Sequence, residues 1–290
     1  MELQYFEPLT IEEAGILAKE HPKAAFLAGG TDLLVRYNRH VNQFDGLINL
    51  KTIKDIQNWC EETEDTVRLG ALMKHNQAAC DSVVVKYYPA LVHALEQIGT
   101  NQVRNLGTLG GNICNASPCA DSAAMLTALG GSVILENGNK KRKIALNEFF
   151  KGPGRTAKEP GEILTWIELP KPVQGGRKKF FQYFEKIGRR KSAEISVANM
   201  GVSVWIEDDR LKNAAIIFGS VGPTVIKVVN AEQEMEGKMI GELDEPLLEK
   251  LTEEAIRPID DIRASADYRR QVCRALIFRM VWELKRTERK

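Results

Sequence analysis

TNQVRNLGTLGGNICNASPCADSAAMLTAL, residues 100–129, is the stretch on which the reading of this chain turns. Gly107, Gly110 and Gly111 mark a turn with little side-chain bulk, where backbone N–H groups can approach a ligand that larger residues would hold off. Such a turn suits an anion, a phosphate above all. Ser117-Pro118 then reads as an N-cap with proline at the first helical position, Asp121 falls in the first turn, and Gly130-Gly131 stops the helix. The stretch thus supplies a glycine turn, a polar spacer and a helix start in succession.

Upstream, the apolar run 24–27 leads into Ala28-Gly29-Gly30-Thr31-Asp32-Leu33-Leu34, the pattern of a buried strand, a diglycine turn and a polar residue able to cap a helix. It is a second candidate phosphate cradle. Thr10-Ile11-Glu12-Glu13 has the form of a capping box and predicts a helix to about Lys19, after a short apolar element around Tyr5-Phe6, while Leu47-Ile48-Asn49-Leu50 reads as a strand. These elements complete a small α/β unit. Neither glycine turn carries G-x-G-x-x-G or G-x-x-x-x-G-K-[ST]. Two such turns, each between an apolar run and a helix start, point to one diphosphate held from both sides.

Downstream, residues 67–71 and 163–169 read as strands, and 89–98 as an amphipathic helix through Leu91, Leu95 and Ile98. Asn137-Gly138 between 133–135 and 143–146 signals a hairpin, and Lys140-Lys141-Arg142-Lys143 reads as a solvated basic turn beside it. The Pro- and Gly-bearing segment 171–176 is a linker. Beyond it come strands at 180–186, 198–206 and 214–221, then helices from about Ala231, over 246–255, and from Ser265 to about Lys285. In the last, Val272, Leu276, Met280 and Leu284 form a stripe for burial.

The 290 residues are 43% hydrophobic and 27% charged, an ordinary globular balance with room for two or three domains. Forty basic residues against 39 acidic make no electrostatic case for a nucleic-acid binder. No apolar run reaches the ~20 residues that cross a bilayer, and MELQYFEPLT lacks the features of a signal peptide, so a cytoplasmic protein is expected. Cys60, Cys80, Cys114, Cys119 and Cys273 include no C-x-x-C pair, which leaves small buried or turn thiols ahead of a redox or cluster role. His21, His40, His75 and His93 are scattered and read as structural or solvated.

Taken together, Ala28-Gly29-Gly30-Thr31-Asp32-Leu33, Arg104-Asn105-x-Gly107-Thr108-x-Gly110-Gly111-Asn112 and Ala116-Ser117-Pro118-x-x-Asp121 resemble the FAD-binding medium subunits of molybdenum hydroxylases. These are subunits of the xanthine, aerobic carbon monoxide and nicotinate dehydrogenase type, and the resemblance covers essentially the whole chain. It implies an α+β fold: an FAD-binding domain of two α/β subdomains of the PCMH/VAO type, 1–53 and 54–172, followed by a C-terminal domain, 173–290, with a three-stranded antiparallel sheet and helices. It implies non-covalent FAD, its pyrophosphate and ribityl chain held by Leu27, Ala28, Gly29, Gly30, Thr31, Asp32, Leu33 and Leu34 from one loop. Thr108, Leu109, Gly110, Gly111 and Asn112 would hold it from the other, with backbone N–H groups as donors.

By the same resemblance Ser117 and Asp121 lie near the nucleotide, Asp121 accepting from ribose or adenine, and Leu164 packs on the flavin. Lys186 stands beside the cofactor, where an ammonium stabilises negative charge on reduced flavin or a bound nucleotide. Read without the family, Asp121 is a first-turn helix stabiliser and Lys186 a surface ion pair. The molybdenum–pterin cofactor and the [2Fe-2S] clusters are expected on a large and a small partner subunit. Electrons then leave this FAD for NAD or another acceptor, and the chain itself carries no catalytic residue and no metal ligand. Arg177-Lys178-Lys179 and Arg189-Arg190-Lys191 are expected to form a positive mouth for NAD phosphates. Two other readings stay open, a self-sufficient FAD-dependent oxidoreductase and a nucleotide-sensing module.

Overall fold

The computed structural model of the chain describes residues 3–40, 44–138, 140–173, 175–190 and 193–287. The first unit comprises β1 (Gln4–Phe6), α1 (Ile11–Glu20), β2 (Ala24–Leu27), α2 (Leu33–Asn38) and β3 (Gly46–Asn49). Its strands are parallel in the order β1-β3-β2, with Ile48 opposite both Phe6 and Phe26. The central strand β3 is therefore buried along its whole length. Thr10 caps α1 as expected, accepting from the Glu13 N–H at 3.1 Å, while the Glu13 carboxylate accepts from the Leu9 N–H at 2.7 Å.

The second unit opens with β4 (Cys60–Glu62) and β5 (Thr66–Gly70). Six helices follow: α3 (His75–Cys80), α4 (Ser82–Tyr87), α5 (Pro89–Glu96), α6 (Asn101–Arg104), α7 (Leu109–Asn115) and α8 (Asp121–Ala128). Then come β6 (Ser132–Asn137), β7 (Lys140–Ala145), α9 (Leu146–Phe149), β8 (Phe150–Gly152), β9 (Arg155–Thr156) and β10 (Ile163–Pro170). The main sheet is antiparallel in the order β4-β5-β10-β6-β7, so the strand nearest the end of the unit is its centre. The expected hairpin is present, with Asn137 opposite Lys140 and Gly138 at φ 57°. The basic run is not a solvated turn. It forms strand β7, where Lys141 pairs with Glu136, Arg142 with Glu162 and Lys143 with Glu168, because the neighbouring strands and the loop before β10 present those carboxylates.

The third unit holds β11 (Lys178–Ile187), β12 (Ala198–Glu207), β13 (Arg210–Gly219) and β14 (Ile226–Lys227), then α10 (Val229–Met235), α11 (Glu245–Ala255) and α12 (Ala266–Thr287). The three expected antiparallel strands form, and a short fourth, β14, adds to the edge of β13. Only Ile226 and Lys227 make it, too short a run to stand out by periodicity. Val272, Leu276, Met280 and Leu284 of α12 are all buried against this sheet.

Every residue of α8 is buried, and this helix joins the second and third units. A Cβ on Gly201 of β12 would stand 2.8 Å from Met125 Cα and 2.9 Å from Ala124 O, so the sheet reaches the helix backbone only because that position is glycine. The start of α8 differs from expectation. Ser117 does not cap it: the Ser117 hydroxyl accepts from the Cys119 N–H at 3.3 Å, and the Ser117 carbonyl from the Ala120 N–H at 3.1 Å, in a separate turn. The Pro118 carbonyl accepts from the Ser220 N–H at 2.8 Å, a tertiary contact that holds the turn apart, and the helix begins at Asp121 itself.

Candidate cofactor cleft

The two glycine-bearing segments meet. From β2 the chain runs into Ala28-Gly29-Gly30-Thr31, with Gly30 at φ 71°. A Cβ on Gly29 would lie 2.3 Å from the Leu106 carbonyl oxygen and 2.9 Å from Gly107 Cα, so the loops are in backbone contact. Glycine is required there for close approach.

The second segment is not a turn. Thr108 caps α7 by accepting from the Gly111 N–H at 3.1 Å, which places Gly110 and Gly111 in the first helical turn, and Ala116 ends the helix at φ 47°. Its backbone donors are also spent within the protein: Leu109 donates to Met73 O at 2.9 Å, Gly110 to Ala71 O at 2.9 Å and Asn112 to Thr108 O at 3.0 Å. The first loop differs. Among the described residues, none accepts from the N–H groups of Gly29, Gly30, Thr31 or Asp32, so these four remain available to an anion. The Asp32 side chain does not cap α2; it pairs with Arg36 at 2.8 Å.

Between these segments and the third unit lies a cleft of about 560 Å³. Its walls include Ala28, Gly29, Gly30, Thr31, Asp32 and Leu33 from the first loop, and Thr108, Gly110, Gly111 and Asn112 from the second. Ser117, Asp121 and Leu164 line it as well. Leu27, Leu34, Leu109 and Lys186 do not line it: the side chains of Leu27, Leu109 and Lys186 are buried, and Leu34 is 39% exposed.

Asp121 and Lys186 are brought together, at 2.6 Å, with both side chains only 6% exposed. Lys186 also donates to Gln97 O at 3.0 Å. The other Asp121 oxygen accepts from the Ser196 hydroxyl and from Asn199 Nδ2 at 2.8 Å. Burial pushes the Asp121 carboxyl above the ordinary range, against the pull of Lys186 and the hydrogen bonds from Ser196 and Asn199. Lys186 is thus a buried pair rather than a surface one, and it links β11 to α8.

Two basic clusters close in sequence are far apart in space. Lys178 faces Glu207 and Lys186 faces Asn199, at opposite ends of β11, about 26 Å apart over eight residues at ~3.3 Å each. Arg177 and Lys178 pair with Asp208 and Glu207 at the far end, so they cannot join a mouth with Arg189 and Arg190. Lys191 lies outside the described residues. Glu194 accepts from the N–H groups of Arg189 and Arg190, and Ala193, Glu194 and Ile195 reach the cleft.

Sequence reasoning passed over several cleft residues, His75 and Lys158 among them. His75 is 2% exposed, lines the cleft beside Gly107, and has no partner for Nδ1 among the described residues. Burial, then the Arg104 charge, lowers its pKa to about 4, so the ring is neutral at physiological pH. Lys158, from the loop after β9, also lines the cleft. Neither sits in a motif; only the fold carries them to the wall. Cys114 and Cys119 are free thiols on the same wall.

A model of the FAD binding domain in molybdopterin dehydrogenase matches residues 1–172, and a model of the CO dehydrogenase flavoprotein C-terminal domain matches 182–284. The chain belongs to this family, the FAD-binding subunits of molybdenum hydroxylases. It is similar to the glyceraldehyde dehydrogenase medium chain of Sulfolobus acidocaldarius, 28% identical over 284 residues and 98% of each chain. It is also similar to the nicotinate dehydrogenase FAD-subunit of Eubacterium barkeri, 31% identical over 242 residues, 81% of this chain and 80% of that one. Among solved structures, a carbon monoxide dehydrogenase from Hydrogenophaga pseudoflava that lacks the Mo-pyranopterin moiety of its cofactor superposes with a TM-score of 0.91 at 26% identity over 96% of each chain. The cleft fits the cofactor of the family. Its first loop offers free backbone donors beside a glycine contact that a side chain would block, and a neutral buried imidazole stands with an unpartnered nitrogen.

Proposed function

We propose that the chain is the electron-transfer subunit of a molybdenum-containing hydroxylase or dehydrogenase, and that its FAD accepts electrons from [2Fe-2S] clusters on a small partner subunit. Substrate oxidation then belongs to the molybdenum–pterin cofactor of a large partner, and NAD is the external acceptor, in a cytoplasmic complex. The observation that carries this reading is the convergence of Ala28–Leu33, of Thr108, Gly110, Gly111 and Asn112, and of Leu164 on one cleft in a chain of this family. Residues 1–53 and 54–172 act as the two FAD-binding subdomains, and 173–290 closes the cleft.

FAD, when bound, supplies one- and two-electron redox chemistry. The chain's own work is to bind and orient. The N–H groups of Gly29, Gly30, Thr31 and Asp32 cradle the diphosphate, with Gly111, Asn112 and Ser117 on the facing wall, and Leu164 supplies an apolar surface for the ring system. Asp121 and Lys186 hold the third unit on α8. No protein nucleophile or general base takes part.

The test is the visible spectrum of the purified chain, followed by release of its chromophore and by assays with and without partner subunits. Releasable FAD that the assembled complex reduces with its substrate and reoxidises with NAD is the expected result. Turnover of a substrate by the chain alone would favour a self-sufficient flavoenzyme, and a chain that takes up no FAD would sink the reading.

A further inference from the structure

Among the described residues, three cationic side chains line the cleft: Arg36, Lys158 and Arg263. Two already pair with carboxylates, Arg263 sharing its own with Arg269. Arg36 pairs with Asp32 at 2.8 Å, and Arg263 with Asp261 at 2.9 Å. Lys158 has no carboxylate within ion-pair distance among the described residues. Its ammonium lies 4.9 Å above the ring of Phe26, itself a cleft residue and the last but one of the strand that runs into the diglycine loop.

The groups that feel that charge are a thiol of the cleft wall and an acid already engaged elsewhere. Burial pushes the Cys114 thiol up while the Lys158 ammonium opposes it, and Cys114 is on the cleft wall. The acid that Lys158 influences, Glu162, is spoken for: it accepts from Arg142 at 2.6 and 2.7 Å and from the Glu159 N–H at 2.6 Å. Lys158 is half-buried, its ammonium rests on the Phe26 ring, and no carboxylate pairs with it among the described residues. An anion in the cleft would supply a counter-ion. The backbone donors of the neighbouring loop carry only partial charges, so they leave most of a diphosphate's negative charge unmatched.

We propose that Lys158 is the counter-ion of the dinucleotide's diphosphate, a positioning residue that sets affinity for FAD through charge. This rests on the reading of the cleft as the FAD site. Phe26 holds the ammonium in place by a cation–π contact, and the free N–H groups of Gly29 to Asp32 on the wall of the same cleft complete the cradle.

The experiment titrates FAD into the cofactor-stripped full chain and follows flavin fluorescence, at low and at high sodium chloride, for the wild type, Lys158→Gln and Lys158→Arg. Thermal unfolding checks that each variant is folded. Lys158→Gln should bind roughly 10- to 100-fold more weakly at low salt, the range of one charged hydrogen bond. Its affinity should change less with salt than that of the wild type, because the screened charge is gone, and Lys158→Arg should stay close to wild type. A folded Lys158→Gln that binds FAD as tightly as wild type overturns the proposal. So does a loss that leaves the salt dependence unchanged, which is the signature of packing rather than charge. Failure of the wild type to bind FAD at all would instead remove the cofactor assignment on which the proposal stands.

Discussion

At the scale of single residues, the cleft depends on one missing side chain. Gly29 has the Leu106 carbonyl oxygen 2.3 Å from where a Cβ would stand, and that oxygen is backbone, unable to swing aside. Gly29→Ala should push the two loops apart, costing roughly 1–3 kcal/mol, the range for overpacking. The purified variant should carry less flavin per chain and melt earlier; an unchanged flavin ratio and melting point would mean that the loops part without consequence. This position was legible in the sequence as part of a diglycine turn. Its partner was not, because Leu106 and Gly107 lie more than 70 residues away and the contact exists only in the folded chain. His75 and Lys158 escaped for the same reason, as neither belongs to a spacing that a ligand imposes.

Among the elements, the loop before α12 is the best tied. Asp261 accepts from the N–H groups of Arg263 at 2.8 Å and Ala264 at 3.2 Å, and from Arg269 at 2.7 Å. Arg269, 2% exposed, donates in turn to Val197 O and Ser220 O, both at 2.7 Å, and so fastens α12 to the sheet. Burial would raise the Asp261 pKa, but the two N–H groups and Arg269 outweigh it and hold the carboxyl at about 2. The folded value lies below the ordinary one of about 3.9, so the stabilisation is complete above roughly pH 4 and is lost as pH falls through about 2. Asp261→Asn should destabilise the chain by roughly 1–3 kcal/mol at neutral pH. Its melting temperature should also fall less than that of the wild type between pH 4 and 2. Parallel acid curves for the two proteins would show that Asp261 does not couple to folding. The helix itself was plain from its four-residue stripe, whereas this clasp joins residues from three separate segments.

For the molecule as a whole, α8 is the junction and the Asp121–Lys186 pair its tether. Both side chains are 6% exposed, so removing one leaves a buried charge without its partner. Lys186→Met should cost about 3–5 kcal/mol, and adding Asp121→Asn should recover part of that loss. Equilibrium unfolding of the two single variants and the double variant measures the coupling. Strict additivity would mean that the pair contributes nothing of its own. Flavin retention in the same set separates a tether from a direct hold on the cofactor, since a tether acts only through the closing of the cleft.

The sequence by itself determined the elements and the family: alternation and helical spacing mark the strands and the long helices, and two glycine segments with the Ser-Pro-x-x-Asp string mark the cofactor class. Those signals are local, carried by neighbours along the chain. Tertiary structure alone decided that the second glycine segment is a helix start whose donors are already spent, because their acceptors, Ala71 and Met73, come from another segment. It likewise decided that the basic run of β7 is matched by carboxylates, and that Asp121 answers Lys186. Which polar group faces which is a property of packing, and packing joins residues that the sequence keeps apart.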